Sequence, residues 1–138
     1  MSKGPQKPMD ITAAQDRELR ELAGRYGISL LVLFGSQATG HAGPQSDVDI
    51  GFVADRPLTG EEDIRLNSEC TRIFGTDHVD TTNLRYGSPL LLKQVADEGQ
   101  ALFEQTGIEM ATLQVYSLQR YVEAEPLFSM RRLKLSAL

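Results

Sequence analysis

An α+β fold, a small mixed β-sheet with helices packed on it, is predicted by three features of this sequence. Residues 29–34 (SLLVLF) form a nearly continuous apolar run, the mark of a strand buried on both faces. Two capping-box patterns, Thr12 with Gln15 and Thr59 with Glu62, announce helix starts on either side of that run. Two further short segments, residues 48–53 and 78–84, are strand-like and rich in Val, Ile and Thr.

Each element follows in order. Residues 1–10 are polar, carry Pro5 and Pro8 and show no periodicity, so they read as a flexible leader. The first helix opens at Thr12, buries Leu19, Leu22, Ala23 and Tyr26 at helical spacing, and stops at Gly27. After the first strand, residues 35–46 are rich in Gly, Ser and Ala and hold Pro44, which makes them a loop, with one helical turn from Ser36. The second strand leads to the helix from Thr59 to about Phe74, whose inner side carries Leu66, Cys70, Ile73 and Phe74. Ser88 as N-cap, Pro89 at the first helical position and Gly99 past the end delimit the next helix. Leu102 and Phe103 add a short edge strand. Beyond Gly107, the apolar residues Ile108, Ala111, Val115, Leu118 and Val122 make one stripe of an amphipathic helix that is expected to end before Pro126. Tyr116 and Tyr121 on that helix read as packing residues. Leu127, Phe128, Met130, Leu133, Leu135 and Leu138 are too many apolar residues for a solvated tail. The expected organisation is therefore a leader over 1–10, one domain over 11–107, and a C-terminal helix with an apolar and basic tail over 108–138.

Composition narrows the function. A chain of 138 residues that is 41% hydrophobic has enough material for one core. No apolar run approaches the ~18 residues of a membrane span, and the N-terminus lacks a secretory pattern, so a cytoplasmic protein is expected. Net charge −5 argues against a stable nucleic-acid footprint, which requires Lys and Arg gathered on one face. The lone Cys70 reads as a core thiol. His41 and His78 are too isolated to suggest a metal cluster, and none of Arg56, Arg65, Arg72, Arg85 and Lys93 stands out as a phosphate ligand.

Chemistry is concentrated between residues 33 and 50. Gly35 and Ser36 follow the first strand, where backbone N–H groups can point at a phosphate with no side chain in the way at Gly35. Ten residues later come Asp47 and Asp49, which in a strand project to the same face about 6.5–7 Å apart. Two carboxylates with no basic residue between them repel each other and are suited to cations, and Mg²⁺ prefers carboxylate and phosphate oxygens. These parts describe a site for a metal-bound triphosphate with two Mg²⁺ ions, which would activate a hydroxyl and neutralise the leaving pyrophosphate. A third carboxylate from a neighbouring strand completes such a site. Asp80, between Val79 and Thr81, is the candidate, with Asp77 as its competitor after Gly75 and Thr76.

The Gly35-Ser36 pair, the ten-residue interval, the Asp47-x-Asp49 pair and the later Asp80 together resemble the polymerase-β-type nucleotidyltransferase superfamily. Size and opening helix are similar to its minimal members, the MNT-domain proteins, and the likeness covers about residues 12–103. The resemblance implies that fold, with Gly35 and Ser36 on the triphosphate and Asp47, Asp49 and Asp80 on two Mg²⁺ ions. It also implies transfer of AMP from ATP to a hydroxyl of a protein, as an antitoxin paired with a HEPN-domain ribonuclease toxin. Exposed apolar surface on so small a domain suits docking onto its substrate in a homo- or hetero-oligomer. Thr39 stands where many relatives have Arg, the loss of a cation beside the phosphates. Two other functions compete: an antitoxin acting by contact alone, and a transferase acting on a small molecule such as an aminoglycoside. The second of these usually takes a further domain to hold the acceptor.

Overall fold

The computed structural model describes residues 10–35 and 47–137, with side chains to residue 124. Ser36, Thr39 and His41, the expected turn at Ser36 and the leader to residue 9 lie outside the described residues. The element order is α1 (Ala13–Tyr26), β1 (Ile28–Phe34), β2 (Val48–Ala54), α2 (Gly60–Phe74), β3 (Val79–Asn83), a 3₁₀ turn (Leu84–Tyr86), α3 (Pro89–Glu98), β4 (Gln100–Glu104) and α4 (Glu109–Ala137). A mixed α+β fold is thus present.

Local signals placed the helix starts. Both capping boxes close: Thr12 accepts from the Gln15 N–H while the Gln15 side chain accepts from the Thr12 N–H, and Thr59 and Glu62 do the same. Ser88 caps α3 with Pro89 at its first position. The third strand is shorter than the expected 78–84, because Leu84 leaves it to begin the 3₁₀ turn.

The sheet runs β3-β2-β1-β4. β1 is antiparallel to both β2 and β4, whereas β2 and β3 are parallel. A parallel pair needs a crossover of a dozen or more residues, and α2 supplies it. Strand alternation then divides the core. On one face Leu31, Leu33, Ile50 and Phe52 pack with Leu19 and Leu22 of α1 and Leu66 and Cys70 of α2. On the other, Leu30, Val32 and Phe34 pack with Leu92 and Val95 of α3 and Leu113 of α4. β1 is covered on both sides, as its continuous apolar run requires.

Cys70 is fully buried, and burial pushes its thiol up to about 12. A native-state thiol reagent at about pH 8 is therefore expected to label Cys70 only as fast as the chain opens, with immediate labelling in denaturant. Rapid labelling of the folded chain would contradict this packing. The sign of the pH effect follows: a folded-state value above the ordinary 9 lets stability fall as pH rises from about 9 toward about 12.

Two expectations for the last helix are overturned. It does not end before Pro126 but continues to Ala137. An internal proline costs one i to i−4 hydrogen bond and a clash with the carbonyl four residues earlier, a local penalty that a helix of 29 residues with no glycine absorbs. The apolar stripe of this helix faces away from the domain. Ile108, Val115, Leu118 and Val122 are each more than half exposed, and the helix packs instead through Met110, Leu113 and Ser117. Ser117 is nearly inaccessible and Gln114 donates to the Ala96 carbonyl, so small and amide side chains let α4 lie close on α3. Tyr116 is not a packing residue either; it is exposed and accepts a hydrogen bond from Arg120.

Candidate active site

The second strand positions the first two carboxylates. Val48, Ile50 and Phe52 point into the α1/α2 core, so Asp49, Gly51 and Val53 must project to the α3/α4 face. Asp47, immediately before the strand, falls on that same side. Parallel pairing sets Val48 beside Val79 and Asp49 beside Asp80. With Val79 committed to the α1/α2 core, Asp80 projects toward Asp49.

Electrostatics bear this out. Burial first, then the charges of Asp80 and Asp47, push the Asp49 carboxyl above its ordinary value. Asp77 is not among those influences and lies in the bend before β3. The three acids thus share a face and a field. Among the described residues no three His, Cys, Asp or Glu side chains close on one point as a finished metal cage does. Asp80 and Asp47 are exposed while Asp49 is half-buried.

Gly35 comes next to the acids. Antiparallel pairing sets Phe34 opposite Asp49, which brings the residue after Phe34 against the aspartate. Gly35 has φ +75°, and a Cβ there would lie 2.5 Å from Asp49 Oδ2. Both the left-handed backbone and the close approach call for glycine. Gly35 therefore lies directly against the carboxylate.

His78, which its isolation in sequence left unassigned, borders the site. Its Nδ1 is 3.6 Å from Asp47 Oδ1, and its carbonyl accepts from the Val48 N–H at 2.6 Å. Only the β2/β3 register makes the two neighbours. The basic residues that the sequence could not rank are engaged elsewhere: Arg56 with Glu62, Arg65 with Glu61, Arg72 with Glu18, Lys93 with Asp97, and Arg85 with the Ala54 carbonyl.

A strand, a glycine turn and an acid pair facing a third acid on the parallel neighbour form the frame against which known proteins can be compared. Residues 17–107 match the family described as Polymerase beta, Nucleotidyltransferase. This chain belongs to that nucleotidyltransferase family. Among its relatives, a protein named Protein adenylyltransferase MntA from Aphanizomenon flos-aquae (strain 2012/KM1/D3) is 31% identical over 112 residues, 70% of this chain and 74% of that one. The nucleotidyltransferase fold is shared with solved structures as well. A chain of a toxin-antitoxin crystal structure with AMP-PNP superposes with TM-score 0.71 at 23% identity, covering 88% of this chain and 96% of that one. A chain from a complex of tri-AMPylated Shewanella oneidensis HEPN toxin with MNT antitoxin gives TM-score 0.66 at 21% identity, covering 90% and 95%. Among the described residues of this family member, no helix is long and apolar enough to cross a membrane.

Proposed function

We propose that this nucleotidyltransferase moves AMP from ATP to a hydroxyl of a protein partner, a HEPN-type ribonuclease toxin, and thereby neutralises it. The observation that carries the reading is the placement of Asp47, Asp49 and Asp80 on one sheet face beside Gly35. Family membership supplies the reaction class, and the adenylyltransferase relative and the AMPylated toxin complex support AMP and a protein as donor group and acceptor.

The donor set fits magnesium. All three side chains offer oxygen, Asp49 and Asp80 are register partners on β2 and β3 with Asp47 just before β2, and burial, then the charges of Asp80 and Asp47, raises the Asp49 carboxyl. Asp47, Asp49 and Asp80 would hold two Mg²⁺ ions, with Ser36 and the Gly35 turn beside the triphosphate. When bound, Mg²⁺ supplies charge neutralisation at the α-phosphate and the pyrophosphate and lowers the pKa of the attacking hydroxyl. Gly35 leaves the space beside Asp49 free of a side chain. Asp80, exposed on the edge strand β3, is the carboxylate that an incoming hydroxyl reaches from solvent. The acceptor oxygen forms a bond to the α-phosphorus as the bond to pyrophosphate breaks, and the hydroxyl proton is released.

ATP labelled at the α-phosphate, Mg²⁺ and lysate of the source cells, with wild type beside an Asp47→Ala/Asp49→Ala double variant, test the reading. Label on the toxin with wild type only is the expected result. Equal labelling by the double variant would remove the acids from the chemistry. The exposed apolar face of α4 favours a second reading, neutralisation by contact alone. In that case the double variant protects cells from the toxin as well as wild type does, and nothing is labelled.

A further inference from the structure

Asp49 and Asp80 stand on strands with different support. Asp49 is on β2, paired on both sides, whereas Asp80 is on β3, which among the described residues has a strand on one side only. An edge strand leaves a row of backbone groups without ladder partners and frays more readily than an interior one. A carboxylate that must meet a metal ion and an incoming hydroxyl tolerates little displacement. Any restraint on the open side of β3 therefore bears on the chemistry.

The ladder shows where such a restraint falls. The Val48 N–H donates to the His78 carbonyl at 2.6 Å, and Val48 pairs with Val79. Alternate residues of a strand turn their backbone groups to the same neighbour, so those of His78 and Asp80 face β2 while the Val79 carbonyl faces the open edge. The side-chain amide of Asn67, from the middle of α2, donates to that carbonyl at 2.9 Å and to the Thr81 hydroxyl oxygen at 3.3 Å. A carbonyl only accepts, which fixes the amide nitrogen as the donor. Asn67 thus holds the residue before Asp80 and the residue after it.

Both contacts lie behind the acid. Val79 packs in the α1/α2 core, alternation sends Thr81 to that same side, and the Asp80 side chain is left exposed on the opposite face. Asn is a poor residue for a helix interior, because its amide competes for nearby backbone groups. In α2 the amide reaches across to β3 instead. Leu66, Cys70 and Ile73 anchor α2 in the core, so the amide projects from a fixed element.

We propose that Asn67 is a positioning residue for Asp80: it clamps the edge strand from behind and so sets the third carboxylate against Asp47 and Asp49. This rests on the reading of those three acids as the holders of Mg²⁺. Asn67 acts through the backbone of β3, by way of Val79 and Thr81.

The test uses the full chain and three readouts. They are amide hydrogen exchange of β3 without metal, binding of Mn²⁺ as a stand-in for Mg²⁺ followed by the paramagnetic resonance of the free ion, and transfer from α-labelled ATP to the HEPN-domain toxin of the same cells across a range of Mg²⁺. Asn67→Ala is expected to speed exchange in β3 by about tenfold with β1 unchanged. It is also expected to weaken Mn²⁺ binding and raise the half-saturating Mg²⁺ by about tenfold each. Asn67→Asp keeps the shape but cannot donate to the Val79 carbonyl, and is expected to behave like Asn67→Ala. Thr81→Val, which removes the longer contact, is expected to shift all three readouts less and in the same direction. Gln15→Ala is the control for stability alone, because it removes the hydrogen bond from Gln15 to the Ile73 carbonyl at the far end of α2. Its melting temperature is expected to fall while Mn²⁺ binding and half-saturating Mg²⁺ stay at wild-type values. Asn67→Ala and Asn67→Asp chains that melt lower yet match wild type in Mn²⁺ binding and Mg²⁺ dependence would assign Asn67 to stability and overturn the proposal. So would β3 exchange that neither variant accelerates. Wild type that labels no toxin at any Mg²⁺ concentration fails the functional reading itself.

Discussion

Replacing Asp49 by Asn is expected to reduce nucleotidyl transfer by about 10³-fold, the rate equivalent of about 4 kcal/mol, while the folded state becomes more stable without magnesium. The two effects share one cause. Asp49 is half-buried and faces the charges of Asp80 and Asp47, which together with burial push its carboxyl above the ordinary value. A folded-state value above the unfolded one means that the stability this group contributes is fully present below the unfolded value of about 3.9, and is lost as pH rises through the folded value. At neutral pH the ionised carboxylate therefore opposes folding, and the isosteric amide removes that opposition. Thermal unfolding of Asp49→Asn should show a melting temperature a few degrees above wild type near neutral pH, with the gain vanishing below about pH 4. Added Mg²⁺ should raise the melting temperature of wild type and leave the variant nearly unmoved. A variant that melts lower than wild type at neutral pH, in metal-free buffer, would show that Asp49 is a structural residue whose contacts the charge argument overlooks.

Gly35→Ala is expected to produce the next largest loss, by a different route. The backbone there has φ +75°, where a side chain costs about 1–2 kcal/mol, and the added Cβ would lie 2.5 Å from Asp49 Oδ2. Either the turn out of β1 or the carboxylate must move. A displacement of about 1 Å at a reacting centre costs on the order of 10²-fold in rate. Gly35→Asn separates the two contributions, because Asn tolerates the left-handed region but still carries a Cβ. Stability is expected to recover in the Asn variant, measured by denaturant titration, while transfer stays low. Recovery of both would show that backbone strain alone, and not crowding of Asp49, made glycine necessary.

Much of this molecule can be read before folding is considered. Helix starts at Thr12, Thr59 and Ser88 depend on hydrogen bonds spanning three residues, so the residues that make them are adjacent in the chain. The buried strand over β1 is legible because both of its faces are apolar without interruption. The Asp47-x-Asp49 pair is legible because alternation along one strand suffices to put both carboxylates on one side. Within that reach the sequence by itself determined the α+β class, the first two acids and the glycine turn.

What only the tertiary structure decided lies beyond such short spans. Asp80 rather than Asp77 joins the acids because of the β2/β3 register, a relation between residues separated by the whole of α2. His78 meets Asp47 for the same reason. The last helix shows the limit most clearly, because its most regular apolar column turned outward and a column with Met110, Leu113 and Ser117 turned inward. Periodicity identifies a face but not its partner. The inner column is the one whose small Ser117 allows close approach to α3, and such complementarity is a property of two surfaces brought together by the fold, carried by neither sequence segment alone.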